Sequence, residues 1–278
     1  MAAPDLPRRQ MIMTTLITGF TLATERVEAT EIETPATGLV AGEVQIPVEG
    51  GTLPGYRAAP EGVGPFPIVL VIEEIFGVHE YIKDICRRLA HVGFYAVAPE
   101  LYARLGDLAH MTDFRKIIGD VISKAPDDQM MRDLDATAAW AASQGGDASR
   151  LVVTGFCRGG RQTWLYAAHN PRLRAAVAWY GPLSGMPTPI QPQTAIDLAG
   201  KIYCPLLALY GGEDKGIPPA DREAAQKAAD DAGKYVQMVV YPGAGHGFHA
   251  DYRPSYDPAA AKDGWRRMLA FFKANGVG

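Results

Sequence analysis

Short apolar runs that lack polar alternation constrain this chain more than any other feature. Ile68-Val69-Leu70-Val71-Ile72 is the clearest, and residues 95–98, 151–154, 175–179, 206–210 and 235–241 form others. A strand with one wet face alternates polar and apolar residues, whereas an uninterrupted run is covered on both faces. Amphipathic stretches at 81–92, 128–144, 159–169, 221–232 and 259–275 lie between the runs and read as helices. The 128–144 stretch begins with aspartate and ends at Gly145-Gly146, the expected terminus signals. Upstream, 42–48 and 53–58 read as an antiparallel hairpin turning at Glu49-Gly50-Gly51. Two antiparallel strands followed by βα repeats predict an α/β fold. Its mostly parallel sheet would have about eight strands with helices on both faces. No linker composition interrupts residues 35–278, so one domain is expected there.

The apolar fraction of 47% and charged fraction of 21% are those of an ordinary folded protein and argue against disorder. A net charge of −4 gives no electrostatic case for nucleic acid or an anionic membrane. No run of 18 apolar residues is present to span a bilayer. Three cysteines are too few for a disulfide framework, and no Cys/His cluster has zinc spacing. Residues 1–34 carry two open readings. Arg8-Arg9 before a weakly apolar stretch, with small residues near Ala29, reads as a twin-arginine-like export signal. Glu25, Arg26 and several threonines dilute that signal and favour an N-terminal arm packed on the domain. Periplasmic and cytoplasmic locations both stay open, as do a monomer and a small homo-oligomer.

The strongest chemical signal is Gly155-Phe156-Cys157-Arg158-Gly159, between an expected strand and an expected helix. This is the G-x-nucleophile-x-G elbow with cysteine as the nucleophile. Glycines flank it because strand and helix backbones meet there too closely for side chains. The helix N-terminus would then favour a thiolate and a developing oxyanion. A nucleophile needs a base and a group to orient that base. Asp214 follows the run 206–210 and His246 follows the run 235–241, both at carboxyl ends of strands, where open α/β sheets place their sites. Glu213 competes with Asp214, and His249 competes with His246. The flanking Gly245 and Gly247 leave room around His246. His79, His91, His110 and His169 have no matching partner and read as structural or solvent-facing.

Five motifs occur in order: Glu74-Ile75-Phe76-Gly77-Val78, Pro99-Glu100-Leu101-Tyr102-Ala103-Arg104, the cysteine elbow, Gly211-Gly212-Glu213-Asp214, and Gly243-Ala244-Gly245-His246-Gly247-Phe248. Together they resemble the dienelactone hydrolases (carboxymethylenebutenolidases), over roughly residues 40–275. The resemblance implies an α/β-hydrolase fold and hydrolysis of an enol-lactone, a small-molecule substrate, to maleylacetate, with neither metal nor organic cofactor expected. It also implies Cys157 as nucleophile, His246 as base and Asp214 as orienter. Glu74 matches the glutamate that holds the resting thiol neutral, and Arg104 the arginine that pairs with the substrate carboxylate. Glu74 is then the expected partner of Arg104 in the resting enzyme. Backbone N–H groups of Ile75 and Arg158 are the expected oxyanion donors. Tyr102 and Phe248, within the same motifs, are expected substrate contacts.

Two departures stand out. The family's second carboxylate-binding arginine follows the histidine in a His-Ser-Phe-Ala-Arg stretch. Here Arg253 is the candidate, from a longer loop and at a different spacing. Arg158 stands where leucine is common, and a Pro- and Thr-rich insertion at 184–199 is positioned to shape the pocket. A broader small-ester or thioester hydrolase therefore remains the alternative. A non-catalytic binding protein would not need elbow, acid and histidine together.

Overall fold

The computed structural model describes residues 32–278, so the two readings of the N-terminal leader fall almost wholly outside the described residues. Eight strands form one sheet in the order β1-β2-β4-β3-β5-β6-β7-β8. They are β1 (Leu39–Val48), β2 (Gly51–Pro60), β3 (Phe66–Ile72), β4 (Tyr95–Pro99), β5 (Gly146–Phe156), β6 (Ala175–Trp179), β7 (Leu206–Gly211) and β8 (Val236–Tyr241). β1 pairs antiparallel with β2, and β2 with β4; every other pairing is parallel. The hairpin turn is tighter than expected. Val48 pairs with Gly51, so Glu49 and Gly50 alone make the turn, with Gly50 at φ 80°.

β5 starts earlier than its apolar run. Pro67 pairs with Asp147 but Ile68 pairs with Leu151, so the chain bulges before the hydrophobic register begins. Every residue of the five-residue run in β3 is fully buried, as are nearly all residues of β4, β6 and β7. Only sheet cover on both faces produces that pattern. β8, at the edge, is only partly buried along most of its length.

The longer helices are α1 (Glu80–His91), α2 (Asp127–Ser143), α3 (Arg158–His169), α5 (Pro219–Asp231) and α6 (Pro258–Ala274), with the short α4 (Ala195–Ala199) before β7. Two of the starts, those of α6 and α4, follow from side-chain capping. The Asp257 side chain accepts from the Ala259 and Ala260 N–H groups at 3.0 Å each, with Pro258 in the first turn of α6. Thr194 and Asp197 form a capping box on α4. Short helical turns fill much of the connection from Leu108 to Lys124. Residues 33–36 lie against α1. The Thr34 N–H donates to Asp84, and Arg87 donates to the Thr34 carbonyl at 2.7 Å.

Candidate active site

β5 ends at Phe156 and α3 begins at Arg158, which leaves Cys157 alone on the turn. Its φ of 54° lies in the left-handed region, where an L-residue carries strain of about 1–3 kcal/mol unless its surroundings hold it. The surroundings do so. Cys157 N–H donates to the Trp179 carbonyl at 3.0 Å, and the Cys157 carbonyl accepts from Gly160 N–H at 2.9 Å. A Cβ on Gly155 would sit 2.3 Å from the Gly159 carbonyl oxygen, and one on Gly159 would sit 2.4 Å from the Glu73 carbonyl oxygen. Both glycines are therefore required by close backbone approach. The N–H groups of Arg158 and Gly159 open α3 ahead of its own hydrogen bonds, directly after the residue that carries the thiol, at the positive end of the helix dipole.

His246 and Asp214 converge on Cys157 from the ends of β8 and β7. His246 Nε2 lies 3.2 Å from Cys157 Sγ, and His246 Nδ1 lies 2.7 Å from Asp214 Oδ2. All three residues are buried. Burial alone would depress the His246 pKa, but the charges of Cys157 and Asp214 outweigh it and lift the imidazole to about 10. The two alternatives are resolved by position. Glu213 is exposed, whereas Asp214 points inward and also accepts from Gly216 N–H at 2.9 Å. His249 packs among Trp179, Phe156 and Trp265, and its Nδ1 lies 2.8 Å from the Tyr81 hydroxyl. Burial, aided by the Arg88 charge, pushes the His249 pKa down to about 3. It is a neutral core histidine.

Glu74 is fully buried just past β3, one residue before Ile75. Its partners correct an expectation. Arg253 Nη2 donates to Glu74 Oε1 at 3.0 Å, the Tyr252 hydroxyl donates to Oε2, and His79 Nε2 stands 3.6 Å from Oε2. Burial would raise the Glu74 pKa, yet Arg253, His79 and Tyr252 together hold it down at about 2. Arg104 does not meet Glu74. It donates to both carboxylate oxygens of Asp133 on α2, at 2.6 and 3.1 Å. Asp133 is buried and has its own need of a cation, which explains the capture.

Other expected contacts also shift. Phe248 is fully buried and packs against Trp179, Tyr180 and Tyr241. Tyr102 is buried beside Arg158, and burial pushes its phenol up to about 12. The Arg158 side chain donates to Gln191 at 2.7 Å, and Gln191 donates to the carbonyls of Ile122 and Ala125. The 184–199 insertion thus reaches the elbow through one glutamine. Arg253 is buried, and its guanidinium stacks 5.1 Å from the Phe76 ring centroid. Residues missed from the sequence are Tyr252 and His79. Contrary to the sequence expectation, His79 has a partner in Glu74, and nothing in its spacing advertises it. Among the described residues, no group of three or more His, Cys, Asp or Glu side chains is placed to hold a metal ion.

The family model of the dienelactone hydrolases matches residues 53–276. A Methylorubrum extorquens protein named "Putative carboxymethylenebutenolidase" is 54% identical over 99% of this chain and 96% of its own length. An Escherichia coli protein of the same name is 49% identical over 95% of this chain and 97% of its own. A Klebsiella pneumoniae crystal structure, described as a "Putative Dienelactone Hydrolase", superposes with a TM-score of 0.83 at 52% identity. It covers 84% of this chain and 98% of that one. With an eight-stranded sheet, a cysteine elbow and relatives along nearly its whole length, the chain belongs to the dienelactone hydrolase family, α/β-hydrolases that act on carboxylic ester bonds, lactones among them.

Proposed function

We propose that the protein hydrolyses an enol-lactone of the dienelactone type to maleylacetate through an acyl thioester on Cys157. One observation carries this reading: His246 joins the Cys157 thiol to the Asp214 carboxylate through contacts of 3.2 and 2.7 Å. Cys157 Sγ attacks the lactone carbonyl carbon. The resulting oxyanion accepts from the Ile75 and Arg158 backbone N–H groups. Collapse breaks the ring C–O bond and releases the enol oxygen, which takes a proton from the His246 imidazolium. Water then gives a proton to neutral His246 and its oxygen to the acyl carbon, releasing the acid and the free thiol. Asp214 fixes the imidazole tautomer and stabilises its cation.

Glu74 and Arg253 supply the switch in this reading. A substrate carboxylate competes with Glu74 for Arg253, and Arg253 lies close enough to Cys157 for their charges to interact. The carboxylate-binding role thus falls to Arg253 rather than Arg104. A broader small-ester hydrolase is the second reading, favoured because Arg104 and Arg253 both already hold protein carboxylates. The test compares cis- and trans-dienelactone with p-nitrophenyl acetate, in wild type and Cys157→Ala. The proposal expects higher kcat/KM for a dienelactone, competition by small dicarboxylates, and no turnover in the variant. Preference for the neutral ester without dicarboxylate competition would favour the second reading. Full activity in Cys157→Ala would overturn the mechanism.

A further inference from the structure

A cavity of about 490 Å³ opens beside the Glu74–Arg253 pair. Phe76, Leu108, Met111, His79, Tyr252 and Arg253 contribute to its wall. Phe76 directly follows Ile75, the expected oxyanion donor, and Tyr252 and Arg253 both donate to Glu74, so the cavity lies on the Glu74 side of the site. Its size falls in the range of small-molecule sites, well above what a five-membered lactone fills. The wall is chemically divided. Leu108, Met111 and Phe76 offer an apolar, ring-shaped surface. Arg253 offers a cation whose Nε donates to Tyr252 and Nη2 to Glu74, while the buried Nη1 has no hydrogen-bond partner. A buried guanidinium nitrogen without an acceptor costs desolvation that a ligand oxygen would recover.

We propose that this cavity is a subsite for an apolar ring, placed so that a ligand with its carboxylate on Arg253 lays an aryl or similar group against Phe76, Leu108 and Met111. An ester or lactone that carries both a carboxylate and an aryl or similar ring is then accepted beside dienelactone itself. This deepens the function proposed above and rests on it for the placement of the ester at Cys157.

The test uses 4-phenylbutyrate, butyrate and 4-phenyl-1-butanol with the full-length protein. Binding is measured by calorimetry, and inhibition against p-nitrophenyl acetate. Removing a ring from water favours 4-phenylbutyrate over butyrate by about tenfold or more. Loss of the carboxylate in the alcohol weakens binding by about tenfold or more. Leu108→Trp and Met111→Trp, each filling the cavity, shrink the phenylbutyrate-to-butyrate ratio toward one. Because the readout is a ratio, a general loss of folded protein cancels. Equal affinities for the two acids in wild type, equal affinities for acid and alcohol, or a ratio unchanged in both tryptophan variants would overturn the proposal. A ring preference in a protein that hydrolyses no ester would support the subsite and sink the function proposed above.

Discussion

Replacing Arg253 with methionine removes the cation from a carboxylate that has no access to water. Glu74 is fully buried, and its pKa of about 2 stands against an ordinary 4.5 despite burial. At about 1.36 kcal/mol per pKa unit, that gap corresponds to about 3 kcal/mol of folded-state stabilisation. Breaking a buried ion pair from one side costs about 3–5 kcal/mol in general, which agrees. Arg253→Met should therefore lower the urea unfolding midpoint at pH 7 by about 1–2 M, for a slope of about 2–3 kcal/mol/M. The sign with pH follows from the depressed pKa. The Glu74 contribution is complete above about 4.5 and is lost as pH falls through about 2, so the gap to wild type narrows in acid. Adding Glu74→Gln to Arg253→Met removes the orphaned charge and should recover most of the loss. Urea titrations of wild type, Arg253→Met, Glu74→Gln and the double variant at pH 7 and pH 4 provide the data. A cost below about 1 kcal/mol for Arg253→Met, or a double variant no more stable than the single, would refute the reasoning.

Other consequences are measurable on the same protein. Limited alkylation at pH 7.5 should modify Cys157 well before the other two thiols, read by peptide mass spectrometry. Burial pushes Cys204 up to about 12 and Cys86 higher still, so both stay protonated. The raised His246 pKa sets an alkaline limit: ester hydrolysis should fall as pH rises through about 10, where the imidazolium proton is lost, in a kcat/KM–pH profile. Asp214→Asn should reduce kcat by about 10³–10⁴-fold and move that limb to lower pH, since the carboxylate is one of the charges holding the proton. His246→Ala should cost several powers of ten in kcat, whereas His249→Phe should change kcat little, because His249 touches Tyr81 and aromatic rings rather than the thiol.

The parts legible in the sequence were those carried by local chemistry. Gly155 and Gly159 announce the elbow because backbone contacts of 2.3 and 2.4 Å would exclude any side chain. Asp214 and His246 follow apolar runs, and strands of a parallel sheet all deliver their carboxyl ends to one rim. Strand identities followed from uninterrupted apolarity, while the edges did not: the bulge before Leu151 and the two-residue hairpin turn depend on pairing across the sheet. The ion pairs were the least legible. Arg253 and Glu74 are 179 residues apart, and Arg104 finds Asp133 across 29 residues and a helix face. Neither pairing leaves a spacing to read. Arg104 followed a family motif to the right rim but to a different partner. His249, three residues from His246, is buried like it but meets Tyr81 and aromatic rings instead of the thiol, and no spacing announces that difference.

The central claim is that Cys157 carries the acyl group, and trapping that intermediate tests it most directly. The protein is mixed with excess p-nitrophenyl acetate, quenched in acid within milliseconds to seconds, and its intact and peptide masses are measured. The account predicts one acetyl adduct on the peptide containing Cys157, removed by hydroxylamine as a thioester is, and absent from Cys157→Ala. An adduct on another residue during turnover, or undiminished hydrolysis by Cys157→Ala, would contradict it.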